Sequence, residues 1–219
     1  MFNLLPIPLD WNLLQLFRAP STREVHDTWR LKDGTPVILR VTRPEDGELI
    51  QELVRGLSEK TRYQRFFSPI HELSPRMLDR FTRNGGTEAM TLVAVVQQDG
   101  REVAIAMAQY VADPYPERCD FGVVVADDWQ RSGLGRKLIE SLICLARAAG
   151  FERIEGDVLV ENVPIHRLMH ALGFRFGPHP DGVYLSRVKK RLAAEPWKCT
   201  PLTALVRQPA QAKAMARCE

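Results

Sequence analysis

A strand-like run, a glycine-rich loop and a helical pattern follow one another in the middle of the chain. Phe121, Val123 and Val125 recur with a period of two, which predicts a buried strand that ends before a pair of aspartates. From Arg136 onward the apolar residues fall on one arc at about 100° per residue, and Gly150 ends this run. A strand and a helix joined by a short loop form a building block of α/β domains.

The loop before this helix has the composition of a phosphate site. Gly133 and Gly135 let a ligand approach the backbone, and the start of a helix leaves several N–H groups free. A Walker loop needs Lys-Ser/Thr at its end, which is missing here, and a dinucleotide loop needs a third glycine where Leu138 stands. A third pattern, Gln/Arg-x-x-Gly-x-Gly/Ala after a strand, fits residues 130–135 at every fixed position. The alternative is a plain tight turn.

The flanking segments predict further strands and helices around this unit. Asp33-Gly34 and Gln97–Gly100 are turn signals that predict two hairpins, with three helical segments between them. After the central unit we expect a strand over 153–160, a helix capped by Asn162 and a last strand through Val183–Val188. This order predicts an α/β domain with a mixed sheet.

The length and composition set the domain organisation. The chain has 219 residues, of which 45% are hydrophobic and 26% charged, as in an ordinary soluble globule. We expect one domain over 27–192, preceded by an extension at 1–26 and followed by an extension at 193–219, because both ends are rich in proline and lack a sustained period. The net charge of +3 gives no strong reason to expect a nucleic-acid partner.

Metal and membrane roles are disfavoured by the sequence. The four cysteines are scattered without a C-x-x-C pair, which indicates reduced thiols rather than a zinc cluster or a disulfide framework. Pro6 and Pro8 break the apolar N-terminus, which has no basic segment, so a signal peptide is not expected. No apolar run approaches the ~18–20 residues that span a bilayer. We therefore expect a cytoplasmic protein with no metal and no membrane partner.

The glycine loop and the segments after it resemble a known family. Residues 130–135 are similar to the acyl-CoA-binding motif of the GNAT superfamily of N-acetyltransferases, and Glu161-Asn162, a helix and Gly173-Phe174 come next in the order found in that family. The resemblance covers residues 36–190, approximately. It implies the GNAT fold, an α/β fold whose mixed, mostly antiparallel sheet of about six to seven strands is flanked by about four helices. It also implies acetyl-CoA as the acyl donor.

The resemblance further implies which residues hold the cofactor. In the family the CoA pyrophosphate rests on amides of the loop, and the pantetheine arm pairs with the preceding strand as an extra strand would. Asn162 is implied to orient the cofactor or the loop. The implied cofactor-binding residues of this chain are Val123, Val125, Gln130, Arg131, Ser132, Gly133, Leu134, Gly135, Arg136 and Asn162.

Acetylation of an amine also needs a base, because a lysine-like amine has a pKa of about 10.4 and attacks only when neutral. In the lysine-acetylating relatives a glutamate at the start of the central strand acts as this base, and Asp120 occupies that place here. Its shorter side chain suggests action through a bridging water, and the alternative is a turn or salt-bridge role. Many GNAT enzymes have a tyrosine acid where this chain has Met169. His166 and His170 lack the glutamate of an H-E-x-x-H metal site.

A narrower resemblance concerns the acceptor. Residues 57–67, 73–75 and 110–114 look like the acetyltransferase domain of bacterial protein lysine acetyltransferases, which modify metabolic enzymes such as acyl-CoA synthetases. The first hypothesis is therefore acetylation of protein lysines. The alternatives are acetylation of a small amine and a CoA-binding regulatory module without turnover. Arg62 and Arg65 remain open between solvated charges and contacts with an acidic acceptor surface.

Overall fold

One eight-stranded sheet forms the centre of the molecule. The computed structural model describes residues 25–85, 88–115 and 117–192. The strands are β1 (Val25–Arg30), β2 (Pro36–Val41), β3 (Ala89–Gln98), β4 (Arg101–Ala112), β5 (Arg118–Val125), β6 (Arg153–Leu159), β7 (Arg175–Pro178) and β8 (Leu185–Arg191). Their order in the sheet is β1-β2-β3-β4-β5-β6-β8-β7. Neighbouring strands are antiparallel except for β5 and β6, which are parallel.

Five α-helices in the described residues connect the strands. They are α1 (Gly47–Gly56), α2 (Glu59–Phe66), α3 (Pro75–Thr82), α4 (Leu134–Ala148) and α5 (Val163–Ala171). Ser58 and Ser74 cap α2 and α3, since each side-chain oxygen accepts a hydrogen bond from the backbone N–H three residues later. Proline at the first position of α3 supports the same start, because that position needs no N–H.

The helices cover the two faces of the sheet unequally. On the first face α4 and α5 pack against all of the central strands, and Leu138, Ile139 and Leu142 of α4 are fully buried there. On the second face α1, α2 and α3 pack against β2 to β5, with Val124 of β5 in that core. Among the described residues, no helix packs over β6, β8 and β7 on the second face. No described helix therefore covers the charged residues of these strands on that face, although Glu155 is buried by its neighbours.

The predicted α/β fold class is confirmed, and two details are corrected. The sheet has eight strands rather than six or seven, because β7 is a strand of only four residues between two glycine-containing turns and is too short for a periodic signal. The described residues contain five helices rather than about four. The last strand begins at Leu185, so Val183 and Tyr184, predicted as strand, lie in the exposed turn before it.

The predicted domain limits, the cysteines and the lengths of the helices remain to be compared with the sequence expectations. The predicted extensions lie outside the described residues except for 25–26, where β1 already begins, so the domain limits stay a prediction. Cys119 is a buried free thiol. Cys144 is disulfide-bonded, and the expectation of reduced thiols is wrong for that residue. The described helices include none long and apolar enough to cross a bilayer.

Candidate active site

The sheet opens between β5 and β6. The two strands pair only from Arg118–Asp120 to Arg153–Glu155, although β5 continues to Val125 and β6 to Leu159. We call the gap between residues 121–125 and 156–159 the fork. The ring of Phe121 lies over Gly156, where a Cβ would stand only 2.7 Å from the ring. The divergence thus depends on a glycine that leaves room for an aromatic ring.

One edge of β5 is directed into the fork. The N–H of Ala126 donates to the carbonyl of Ile105 on β4, so this residue and every second residue before it bond toward β4. The intervening residues, Phe121, Val123 and Val125, direct their backbone N–H and C=O groups to the opposite edge. The arrangement can accept an extended ligand as an additional strand, in the place that the sequence predicted around Val123 and Val125. The Val125 carbonyl already accepts from the Gln130 amide at 3.3 Å.

The glycine loop, residues 130–136, lies at the wide end of the fork. Arg131 and Gly133 have positive φ angles of 59° and 93°, and α4 begins at Leu134. The N–H of Lys137 donates to the Gly133 carbonyl as the first bond of the helix, so the N–H groups of Leu134, Gly135 and Arg136 lack an acceptor within the helix. A Cβ on Gly133 would meet nothing within 4 Å, so the backbone there is open to a ligand. This geometry fits a phosphate group.

The side chains of the loop mostly hold the loop itself. Gln130 donates to the Thr61 hydroxyl at 3.2 Å as well as to Val125, and the Ser132 hydroxyl donates to the Trp129 carbonyl at 2.5 Å. Leu134 is buried in the core, so only its backbone is available to a ligand. Gly135 packs against Leu168 of α5, where a Cβ would lie 3.4 Å from that side chain. Of the predicted loop residues, Arg131 and Arg136 have exposed side chains that can reach an anion.

Asp127 ties this loop to the second face of the sheet. Its carboxylate accepts hydrogen bonds from the Ser58 N–H at 2.8 Å, the Ser58 hydroxyl at 2.7 Å and the Thr61 hydroxyl at 2.7 Å. Burial alone would raise the pKa of Asp127, but the hydrogen bonds from Ser58 and Thr61 outweigh it and lower the pKa. Because Ser58 caps α2, the start of this helix is fixed to the turn before the glycine loop.

Asp120 lies at the point where the fork begins. It is the last residue of β5 that pairs with β6, opposite Glu155, and its side chain is 54% exposed on the second face. Burial of the remainder raises the pKa of Asp120, and Asp113, Asp157 and Glu155 raise it further, while Arg187 acts in the opposite direction. A half-exposed carboxylate with a raised pKa holds a proton more readily than an ordinary aspartate and can be reached by a substrate, which suits a general base.

Sequence reasoning missed the residues around Asp120. Arg187 of β8 lies 3.8 Å from Asp120, 3.5 Å from Glu155 and 2.5 Å from Asp157, measured between nitrogen and oxygen. The His179 Nε2 atom lies 3.2 Å from Asp157 on the other side. We call Arg187, Asp120, Glu155 and Asp157 the Arg187 cluster. The sequence feature that could have revealed this cluster is the alternation of charged residues in β6 and β8. It places their side chains on one face of the sheet once the register between the two strands is known.

The other residues singled out in α5 have structural contacts. Asn162 caps α5 through its side-chain oxygen, which accepts from the Ile165 N–H at 3.3 Å, and the predicted capping role is confirmed. Met169, at the position of the missing tyrosine, is fully buried in the core. His166 and His170 both stack on Phe176, with ring centroids at 5.0 and 4.4 Å. Within the described residues, no group of three or more His, Cys, Asp or Glu side chains is arranged so that it could hold a metal ion.

Comparisons with known proteins agree with this geometry. The model of the acetyltransferase (GNAT) family matches residues 57–174, which include the fork and the glycine loop. An acetyltransferase of Pseudomonas aeruginosa is 34% identical over 157 residues, which make up 71% of this chain and 84% of that protein. The [ribosomal protein bS18]-alanine N-acetyltransferase of Escherichia coli is 36% identical over 77 residues, or 35% of this chain and 50% of that protein.

The fold also matches solved structures. The crystal structure of the GNAT domain of S. lividans PAT superimposes with a TM-score of 0.68 at 22% sequence identity, covering 80% of this chain and 99% of that domain. At this level of identity the match concerns the fold alone.

Proposed function

The chain belongs to the acetyltransferase (GNAT) family, and we propose that it transfers the acetyl group of acetyl-CoA to the side-chain amine of protein lysines. Membership of the family makes it an acetyl-CoA-dependent N-acetyltransferase. The alternative of a CoA-binding module without turnover loses its support with that assignment. The observation that carries the proposal is the fork, which joins an anion-binding loop at one end to a carboxylate at the other.

The proposed cofactor site runs along the fork. The amides of Arg131 to Arg136 hold the pyrophosphate, Gln130 fixes the loop to β5, and the edge of β5 at Val123 and Val125 pairs with the pantetheine arm. Asn162 positions the start of α5 beside the loop through its cap. The arm has about as many chain atoms as four residues, and four extended residues span about 13 Å. Counted back from Val125, an arm of this length would end with its sulfur beside Gly122, next to Asp120.

The proposed chemistry needs one base. Asp120 takes a proton from the incoming ammonium, directly or through a water, and the neutral amine attacks the thioester carbonyl. The raised pKa of Asp120 makes it a better proton acceptor than an ordinary aspartate at the same pH, provided that it is ionised. Glu155, with only 4% of its side chain exposed, is held by cations on both sides and is less accessible to an acceptor.

The open second face supports a macromolecular acceptor. Asp120 and the charged residues of β6 and β8 lie where the described part of the chain places no helix, so a lysine on a protein surface can reach the fork without threading a closed tunnel. Asp120, with its half-exposed carboxylate, offers a cationic amine an anionic partner. One of the relatives is, by its name, an enzyme that acetylates an alanine of a ribosomal protein. An acyl-CoA synthetase is the kind of metabolic enzyme we propose as the partner.

The test measures thiol release from acetyl-CoA and the mass of the products. We expect acetylated lysines on a purified acyl-CoA synthetase, with thiol release about 100-fold slower for Asp120→Ala. Asp128→Ala removes an exposed aspartate of the neighbouring turn and is the matched control, expected within about twofold of wild type. Release that requires a small amine such as spermidine, with the protein unmodified, would favour the small-molecule alternative. Release no faster than hydrolysis with every acceptor would refute the proposal.

A further inference from the structure

Arg65 of α2 lies directly on β5 at the narrow end of the fork. Its guanidinium occupies the space of a missing side chain at Gly122, where a Cβ would stand 2.6 Å from Cζ, 2.7 Å from Nη1 and 2.8 Å from Nη2. Phe66 and Phe81 flank it, with their ring centroids 5.1 and 5.7 Å from Cζ. The sequence left Arg65 open between a solvated charge and a binding residue, and this position excludes free solvation.

This cation has no counter-ion among the described residues. Salt bridges in that part of the chain involve other arginines, and the Arg65 Nε atom is buried without a hydrogen-bond partner. Burial lowers the pKa of Arg65 to about 10, so the group stays charged at neutral pH. A cation in a poorly solvated position is destabilised unless an anion reaches it. The aromatic rings of Phe66 and Phe81 offset only part of this cost.

The ligand of the fork supplies negative charge at this place during the reaction. The length of the pantetheine arm puts the thioester sulfur beside Gly122, and this placement rests on the proposed function. The thioester itself is neutral, but the carbonyl oxygen and then the sulfur become negative as the acetyl group leaves. The family position for a tyrosine acid is Met169, which is fully buried and cannot give a proton to the sulfur.

We propose that Arg65 stabilises the CoA thiolate as the leaving group, so that no proton donor is required. Asp120 first releases to water the proton that it took from the ammonium. The amine nitrogen then bonds to the carbonyl carbon, the carbon–sulfur bond breaks with its electron pair on sulfur, and the second nitrogen proton passes to Asp120 and then to water. Sulfur leaves as an anion next to the Arg65 guanidinium. No oxidant, reductant or further reactant takes part in this step.

The direct test measures the pKa of the CoA thiol while it is bound. Thiolate absorbance of bound CoA is titrated between about pH 6 and 9, with desulfo-CoA, which lacks the thiol, as the blank. Beside the Arg65 cation we expect the bound thiol to ionise at lower pH than free CoA. Asp120 and Glu155 face the same place and act against this shift, and Arg187 acts with it. Arg65→Met is expected to abolish the downward shift, and Arg65→Lys to keep part of it.

Turnover gives the second readout. We expect Arg65→Met to lower kcat about 10- to 100-fold, with KM for acetyl-CoA within about threefold of wild type, because the cation acts on charge that develops only in the transition state. Gly122→Ala pushes the guanidinium off the strand and is expected to lower kcat in the same way without removing the charge. Lys60→Met, on the exposed side of α2, is the control and should leave both readouts unchanged.

The outcomes separate this inference from the proposed function. If wild type binds CoA and turns over, and Arg65→Met leaves the bound-thiol pKa and kcat unchanged, the role of Arg65 is refuted while the acetyltransferase reaction stands. A fall in kcat with an unchanged bound-thiol pKa also refutes it, since a purely structural role of the aromatic contacts has that result. If wild type shows no thiol release with any acceptor, the proposed function fails first.

Discussion

Two clusters of carboxylates around an arginine lie on the same sheet and differ in how far they are shielded from solvent. We call the shielded one, around Arg40, closed and the accessible one, around Arg187, open. Arg40 of β2 has 1% of its side chain exposed and makes hydrogen bonds of 2.6 and 2.9 Å to Asp46 and of 2.6 Å to Glu102. Arg187 of β8 has 24% exposed, and its contacts to Asp120 and Glu155 are 3.8 and 3.5 Å long. In the first cluster both carboxylates are bonded to the buried arginine, whereas in the second the Asp120 carboxylate stays accessible beside the fork.

The difference has a physical consequence for each set of charges. Burial by itself would lower the pKa of Arg40, but the bonds to Asp46 and Glu102 outweigh it and raise the pKa. Those two carboxylates are therefore occupied by hydrogen bonds to the buried guanidinium. Asp120 is the opposite case, since its pKa is raised by burial and by neighbouring carboxylates. A closed cluster positions the backbone, and an open one can exchange protons with a substrate.

The largest expected effect is on stability and concerns the closed cluster. Asp46→Ala leaves Arg40 buried with half of its partners and also removes the acceptor of the Arg43 N–H at 2.7 Å. We expect a loss of about 3–5 kcal/mol in the free energy of unfolding, measured by urea denaturation. The fraction that remains folded should keep its kcat, because this cluster is remote from the fork.

The matched control for this prediction lies on the same arginine. Glu102→Gln keeps the shape of a partly exposed partner and should cost about 1 kcal/mol. A loss below about 1 kcal/mol for Asp46→Ala would show that Arg40 and Asp46 are not a closed structural pair.

The next largest effect is on activity and concerns the open cluster. Asp120→Asn should lower kcat/KM by about 100- to 1,000-fold, because the amide cannot accept the amine proton, while the free energy of unfolding changes by less than about 1 kcal/mol. Glu155→Gln should show the reverse, since its buried carboxylate is engaged by Arg153, Arg187 and Lys189. A larger loss of activity for Glu155→Gln than for Asp120→Asn would make Glu155 the base.

The features that the sequence predicted are those with local causes, and the features that it missed have distant ones. The glycine loop before α4 and the cap at Asn162 depend on adjacent residues, and the sequence pattern indicated both. The Arg187 cluster depends on the register between β6 and β8, and the contact of Arg65 with Gly122 on how α2 crosses β5. Such contacts between distant segments leave no periodic signal, so the arginines could not be assigned before the fold was known.

A smaller effect on the pH profile sharpens the role of Arg187. A carboxylate base works only when ionised, so activity should fall as the pH drops through the raised pKa of Asp120, at higher pH than for an ordinary aspartate. Arg187 acts to lower that pKa, and Arg187→Met should therefore move the acid limb to still higher pH. We expect about two- to fivefold lower kcat/KM on the limb and no change on the alkaline plateau.

The control for this profile is the charge-conserving variant Arg187→Lys, which should leave the limb close to its wild-type position. A limb that moves to lower pH in Arg187→Met would contradict the assignment, because loss of a nearby cation cannot favour the ionised form of a carboxylate.

The smallest predicted effect concerns Asp127, whose carboxylate accepts hydrogen bonds from Ser58 and Thr61 beside the glycine loop. Asp127→Asn keeps one acceptor for Ser58 and Thr61 but loses the charge, so we expect about 0.5–1 kcal/mol lower stability at neutral pH and about a two- to threefold higher KM for acetyl-CoA. The folded-state pKa of Asp127 is lowered, so its contribution is present above the ordinary pKa of aspartate and is lost as the pH falls through the lowered value. The stability difference between wild type and Asp127→Asn, measured by urea denaturation, should therefore vanish in strong acid.

A stability difference that persists in strong acid would mean that the Asp127 side chain acts through packing rather than through its charge. A changed stability with an unchanged KM would mean that Asp127 fixes the start of α2 without positioning the glycine loop.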